Sequence, residues 1–446
     1  MPDGGGVKGY SSLLILRTLM SLVARVEAGV RNGNSDDEMP DNASYPWFEE
    51  EDGVDPGLQW SNWCPPCYYF EYIAGTSTGA LSAIMLGRLR NSVNDVLREY
   101  TTFGNEVFGK PRWFHQQNII LLPRQKYCTR AVEATLRNII GQENGRERRF
   151  PSNETQCKTM AVAYAEDQGQ AIQEHYLFRT YDHYQNQWAS PVMNPGRANN
   201  LPIWKVARAT SAAPLYFEAL VTDPGTEIQG RKKFLDGGLG ANNPTFIALR
   251  EVLQITNPAN PHQAKCLLVS IGTGLARPPN PNIASPHPDE AMEPEQLSTC
   301  SWLTGKLFKY GFAIHRAVGN LLWLRSVFLK YALNSQRIHL NEVLFATEAA
   351  GIPYYRLNVD DGVNNIALDT WEPADGGGTT LQTIRRHTLV YLNKPEVRQK
   401  LLNCAYSLVK LRDNHCRRAD WPQFGDGFLN RWERGLGWLN RRFDWY

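Results

Sequence analysis

Ser77 stands at the centre of GTSTG, a G-x-S-x-G string between an aromatic, β-branched run, YYFEYIA, and an apolar helical one, ALSAIMLGRL. On such a strand-to-helix elbow the serine is held in a strained backbone conformation, and its Oγ points outward at the amino end of the next helix. The dipole there favours developing negative charge. Gly75 and Gly79 keep side chains out of the crowded turn. This is the arrangement of a nucleophile for acyl transfer.

A nucleophilic serine needs donors for the oxyanion and a base for its proton. The chain opens MPDGGGVKG, where the N–H groups of Gly4, Gly5 and Gly6 can converge on one concavity without steric obstruction. The same glycines fit the dinucleotide string G-x-G-x-x-G. No strand precedes them, however, and Glu27, at the distance of the ribose-binding acid, lies inside a helix. For the base, Asp236 in FLDGGLGANNP ends a short strand, and Gly237 and Gly238 clear the space beside its carboxylate. Asp before Gly is also a frequent turn former; the serine and the glycine loop favour the base. None of the nine histidines lies in a comparable strand-end turn. A Ser-Asp-His triad completed by His262 or His387 keeps the usual chain order and stays open. So does a lipid- or partner-binding module that has kept the motifs without catalysis.

These residues require an alternation of strands and helices to present them. YYFEYIA, KTMAVAYA, EHYLFRTY, KFLD and CLLVSIG read as strands; YSSLLILRTLMSLVARVEAGV, DVLREYTTF and IWKVARAT read as helices. The pattern predicts an α/β fold with a central, mainly parallel sheet flanked by helices over residues 1–300. Residues 33–67 form an acidic insertion with nine Asp and Glu and no Lys or Arg. From 301 to 446 the chain turns to long amphipathic helices, with YYRLNV as a strand candidate between them, and is expected to pack on the first region.

A net charge of +2 gives no reason to expect nucleic acid. Eight scattered cysteines argue against a disulfide framework, and Cys64 and Cys67 of WCPPC read as ordinary thiols in a turn. The acidic insertion lacks the D-x-D-x-D-G loop of a calcium site, and no metal or cofactor is expected. No run approaches the ~20 apolar residues of a bilayer span, and the start lacks the layout of a signal peptide. An intracellular, cytoplasmic protein is expected.

DGGGVKG, GTSTG, ARATSAAPLYFEA, DGGLGANNP and VSIGTG follow one another in this order. Together they resemble the patatin-like phospholipases, serine acyl hydrolases with a Ser-Asp dyad, from residue 3 to about residue 275, with weaker likeness to fungal members beyond. The resemblance implies Ser77 as nucleophile, Asp236 as base and Gly4 to Gly6 as the oxyanion loop, with Gly9 closing its motif and the third motif in its D-G-G form. It implies a lipid ester substrate, and hence peripheral contact with a membrane. A candidate for that contact is the stripe Phe428, Trp432, Leu436, Leu439 and Phe443, flanked by Arg431, Arg434, Arg441 and Arg442. In that family the glycine loop follows an apolar central strand, whereas only Met1 and Pro2 precede Asp3 here; an upstream apolar stretch running into Asp3 is the expectation.

Overall fold

The computed structural model describes residues 1–31, 64–113, 125–152, 157–167, 173–185, 192–222, 228, 231–256, 266–275, 335–374 and 376–416. The acidic stretch up to residue 63, the amphipathic run 302–333 and the terminal stripe 428–443 lie outside these residues. The described strands are β1 (Tyr72–Thr76), β2 (Gln142–Glu143), β3 (Arg146–Glu147), β4 (Lys158–Asp167), β5 (Gln173–Arg179), β6 (Leu220–Val221), β7 (Lys232–Asp236), β8 (Leu268–Ile271) and β9 (Tyr354–Leu357). β2 and β3 form a small hairpin of their own.

β4 is the hub of the main sheet. One of its edges is taken by β5, antiparallel from Met160 opposite Arg179 to Glu166 opposite Gln173. Two strands share the other edge. β1 runs parallel to β4 and ends with Thr76 opposite Val162, while β7 runs antiparallel and ends with Asp236 opposite Ala163. β1 and β7 therefore meet head to head, their carboxyl ends converging on neighbouring residues of β4. β6 pairs antiparallel with β7 on its outer side. The sheet is thus mixed where the sequence pattern predicts a mainly parallel one. Two strands whose carboxyl ends meet on one edge must run in opposite directions, and only one of them can be parallel to β4.

Alternation along the strands explains why both faces are covered. Ala161, Ala163 and Ala165 of β4 join Tyr176 and Phe178 of β5 in the large core on one face, whereas Met160, Val162 and Leu177 pack on the other. The α/β class follows, with helices on either side. They include α1 (Gly9–Arg31), α2 (Thr78–Ala83), α3 (Val93–Phe103), α4 (Thr129–Ile140), α5 (Ile203–Thr210), α6 (Thr245–Thr256), α7 (Leu344–Ala350), α8 (Gly378–Leu392) and α9 (Pro395–Cys416). Ser92 caps α3, accepting from the Asp95 N–H while the Asp95 carboxylate accepts from the Ser92 N–H, which fixes where that helix begins.

α1 corrects the expectation that no run is long and apolar enough to span a membrane, since Gly6–Glu27 passes by length and composition. Most of that stretch is buried inside the protein. Its neighbours are α3 and the carboxy-terminal helices α8 and α9. The Thr388 hydroxyl bonds Ser11 at 2.9 Å, and Arg412 pairs with the buried Glu27 at 2.9 Å. A helix this largely apolar suits the centre of a large core.

The second sheet joins the two halves of the chain. β9, the strand read from YYRLNV, pairs parallel with β8, from Leu268 opposite Tyr354 to Ile271 opposite Leu357. On the chain's opening residues, Asp3 N–H donates to the Ile271 carbonyl at 3.0 Å and Ile271 N–H to the Met1 carbonyl at 2.9 Å. Met1–Asp3 thus lies along β8, and the glycine loop leaves from its end. Cys64 and Cys67 are both buried.

Candidate active site

The meeting of β1 and β7 brings Ser77 and Asp236 together. Ser77 follows the last residue of β1 with φ 54° and ψ −129°, a conformation that costs a non-glycine residue energy and is kept only where the surroundings over-determine it. Here the Ser77 N–H donates to the Thr210 hydroxyl at 3.0 Å, and that hydroxyl in turn donates to the Val162 carbonyl of β4. Gly79 is required one turn on. A Cβ there would run into the carbonyl oxygens of Pro2 and Asp3, so at this point the elbow and the opening loop approach backbone to backbone.

The Ser77 hydroxyl donates to Asp236 Oδ2 at 2.6 Å. Asp236 is the last residue of β7 and is 1% exposed. Its other oxygen accepts the Gly238 N–H at 2.7 Å. Burial raises its pKa from 3.8 to about 6, while the Ser77 and Gly238 hydrogen bonds pull the other way. No cation bonds to this carboxylate among the described residues, so it stays basic enough to take a proton near neutral pH.

The glycine loop faces the same point. Gly4's N–H is spent on the Asn242 carbonyl at 2.9 Å, which narrows the three expected donors to two. The N–H groups of Gly5 and Gly6 have no acceptor among the described residues, and both glycines line the cavity that holds Ser77 and Asp236. Gly6 has φ +57°, and its Cβ position is occupied by the backbone of Leu368. Only glycine fits there. The Gly6 carbonyl accepts from the Tyr100 and Thr78 hydroxyls. Gly9, the last glycine of the motif, abuts the Tyr100 ring.

Asp3 anchors the loop from behind. Its carboxylate, fully buried, accepts from Arg356 of β9 at both oxygens, 3.0 and 2.6 Å. Arg356 also donates to the Ser270 hydroxyl at 2.7 Å. Burial works against the guanidinium, but the charge and hydrogen bonds of Asp3 outweigh it and hold the Arg356 pKa above its ordinary value. On the front side the Thr273 hydroxyl donates to the Gly4 carbonyl at 3.0 Å. Sequence reading names the loop but not Arg356, Thr273, Asn242 or Thr210. ARATSAAP and VSIGTG carry Thr210 and Thr273 in plain view; nothing local marks Arg356.

The cavity itself has a volume of about 380 Å³. Its apolar wall includes Phe103 at the end of α3, Phe108 in the wide π-helical turn that follows, and Leu215 and Phe217 beyond α5. Ile366 and Leu368, after β9, close it from the carboxy-terminal half. Leu215 has φ 73°, a second strained backbone on this wall. None of the described histidines lines the cavity. His387 packs against Gly362, and His262 lies outside the described residues. Among the described residues, no three or more His, Cys, Asp or Glu side chains gather to hold a metal ion.

Residues 58–249 match the family model for patatin-like phospholipase. Over that range the chain is similar to a patatin-like phospholipase domain. Human calcium-independent phospholipase A2-gamma is 29% identical over 286 residues, 61% of this chain and 27% of that protein. Patatin-like protein 1 of Oryza sativa subsp. indica is 27% identical over 224 residues, covering 46% of this chain and 49% of its own. The cGAMP-activated phospholipase of Vibrio cholerae is 27% identical over 192 residues, covering 42% and 47%. The chain thus spans between 27% and 49% of the length of these relatives. The matched region begins after the glycine loop, which is held beside Ser77 by β8 and by Arg356 of β9.

Proposed function

We propose that this protein hydrolyses acyl esters of lipids, as a phospholipase A or lysophospholipase, with Ser77 and Asp236 as a catalytic dyad. The observation that carries the reading is the 2.6 Å hydrogen bond from a strained Ser77 to a buried carboxylate, bonded to no cation among the described residues, at the wall of a largely apolar cavity. Ser77 Oγ attacks the ester carbonyl and Asp236 Oδ2 takes its proton. The N–H groups of Gly5 and Gly6 hold the tetrahedral oxyanion. Asp236 returns the proton to the departing alcohol or lysolipid. Water, deprotonated by Asp236, then attacks the acyl-enzyme and frees the fatty acid and Ser77.

The apolar wall of Phe103, Phe108, Phe217, Ile366 and Leu368 suits an acyl chain, and the names of the relatives support lipid esters as the substrate class. Such substrates lie in membranes, so the reading includes peripheral contact with a lipid surface. The test is product analysis on phospholipids, lysophospholipids and triacylglycerols, with Ser77→Ala beside the wild type and fluorophosphonate labelling read by mass. Fatty acid release that falls by at least about 10³-fold in Ser77→Ala, with the label on Ser77, is the expected result. A folded protein that neither hydrolyses these lipids nor takes the label would leave the binding-module reading instead.

A further inference from the structure

Ser335 begins the helical stretch that leads into α7 and lines the cavity together with Ser77, Asp236 and Asn242. Two successive asparagines in the turn after Asp236 hold it. Asn242 Nδ2 donates to the Ser335 hydroxyl at 2.6 Å, and Asn243 Nδ2 donates to the Ser335 carbonyl at 3.2 Å. Asn242 is also the residue whose backbone carbonyl takes the Gly4 N–H. Its side chain lies beside the nucleophile, since a Cβ on Gly4 would come 2.5 Å from Asn242 Oδ1 and 3.2 Å from Ser77 Cβ. On its other side the Ser335 hydroxyl meets the glycine loop. Burial raises the pKa of Asp3, and the charge of Arg356, its hydrogen bonds and one from Ser335 oppose that rise.

A second path joins the same two turns. Asn243 Oδ1 accepts the Thr245 N–H at 3.0 Å, and the Thr245 and Ser270 hydroxyls are hydrogen-bonded at 2.7 Å. Ser270 accepts from Arg356, which grips Asp3. Hydrogen bonds thus close a ring from Asp3 through Ser335 to the asparagines and back through Arg356, and every member but Ser335 is buried. The members of such a ring fix one another's geometry. Oxyanion donors work only when aimed at the place where charge develops, and a shift of about 1 Å can cost roughly 10²-fold in rate. Here the donors follow Asp3 and the base precedes Asn242, on segments far apart in sequence. We infer that Ser335 is a positioning residue for acyl transfer, which holds the glycine loop and the turn after Asp236 in register. This rests on the acyl-hydrolase reading of the same site and adds a residue from outside its motifs; like Arg356, Ser335 lies beyond residues 58–249, which match the family model.

The test separates positioning from binding. Hydrolysis of a short-chain diacyl phosphatidylcholine is compared with inhibition by an alkyl trifluoromethyl ketone and by the corresponding alcohol. Ser77 Oγ adds to the ketone carbonyl and its proton passes to Asp236, while the C=O pair becomes an oxyanion; the alcohol cannot react. Ser335→Ala should lower kcat about 10- to 10²-fold with KM within about twofold, and should weaken the ketone by a similar factor while leaving the alcohol unchanged. Ser335→Thr keeps the hydroxyl and should retain most of the rate. Where Ser335→Ala does not fold, Ser335→Cys, a weak donor and acceptor of nearly the same size, should show the same loss in smaller degree. An unchanged kcat, a loss confined to KM, equal weakening of ketone and alcohol, or a Thr variant as slow as the Ala one would overturn the inference. A folded wild type that neither hydrolyses the lipid nor takes a fluorophosphonate at Ser77 would remove the hydrolase reading and this inference with it; an active wild type matched by Ser335→Ala would remove the inference alone.

Discussion

Two Asp-Gly-Gly triplets border the same cavity, and their carboxylates meet different partners. Asp3 faces a guanidinium, which grips both of its oxygens and belongs to a strand more than 350 residues away in sequence. Asp236 faces a hydroxyl and one backbone N–H. Both are fully buried. The ion pair leaves Asp3 nothing to give, and it serves to fix a loop. Asp236 meets no cation among the described residues, burial raises its affinity for a proton, and the group that shares its hydrogen bond is the hydroxyl proposed as the nucleophile. The motif presents a buried carboxylate at a strand end; the partner decides whether it is an anchor or a base.

The largest effect expected from this contrast is at Asp236. Asp236→Asn should lower turnover about 10²- to 10⁴-fold with the fold retained, checked by initial rates and circular dichroism. Arg356→Met acts on the other carboxylate and should be felt first as stability, a loss of about 3–5 kcal/mol in urea unfolding, because Asp3 is left charged and buried. Adding Asp3→Asn to it should recover a large part of that loss. An Arg356→Met protein as stable as the wild type would break the comparison.

Gly5→Ala tests what the anchored loop is for. Its methyl group would meet Thr273 Oγ1 at 2.5 Å and Cβ at 2.6 Å, and Thr273 is itself tied to the Gly4 carbonyl. Displacing the two N–H donors should cost about 10²- to 10³-fold in turnover, with a smaller loss of stability, about 1–3 kcal/mol.

The smallest effect is the pH dependence of stability at Asp236. Asp236 has a folded pKa of about 6, above its ordinary 3.8. Below pH 4 the group is protonated whether folded or not, so the Asn replacement gains nothing from the missing charge. As the pH rises from about 4 to about 6 the unfolded chain ionises while the native carboxyl keeps its proton, so the wild type gives up stability across that window and no more above it. Asp236→Asn should therefore be more stable than the wild type above pH 7, by on the order of 1–3 kcal/mol, and the gain should shrink toward pH 4. Urea midpoints at both ends of that range measure it.

The sequence carries these features unevenly. The elbow around Ser77 and the turn after Asp236 are local, fixed by glycines within a few residues, and can be read from the string alone. That the two are neighbours cannot. It depends on β7 running against β4, and Lys-Lys-Phe-Leu-Asp alternates in the same way whichever direction the strand takes. The expectation of a mainly parallel sheet fails at that strand for the same reason. Gly4 looks equivalent to Gly5 and Gly6 until Asn242 takes its N–H, a contact between residues more than 230 positions apart. Arg356 is one arginine among many until β9 lies beside β8. Nothing around Ser335 marks it until Asn242 and Asn243 close on it. The long amphipathic helices expected beyond residue 301 are broken at a point that sequence reading passes over: α8 ends at Leu392 and α9 begins at Pro395, a proline with no N–H.

The central claim is that Asp236 takes the proton of Ser77 directly. It is tested by the rate at which a neutral fluorophosphonate modifies Ser77, followed by intact mass from pH 4 to pH 9 in wild type and Asp236→Asn. The wild-type rate should rise with pH, reach half its plateau near pH 6, and collapse in the Asn variant at every pH above it. A Ser77 labelling rate unchanged by Asp236→Asn would contradict the dyad.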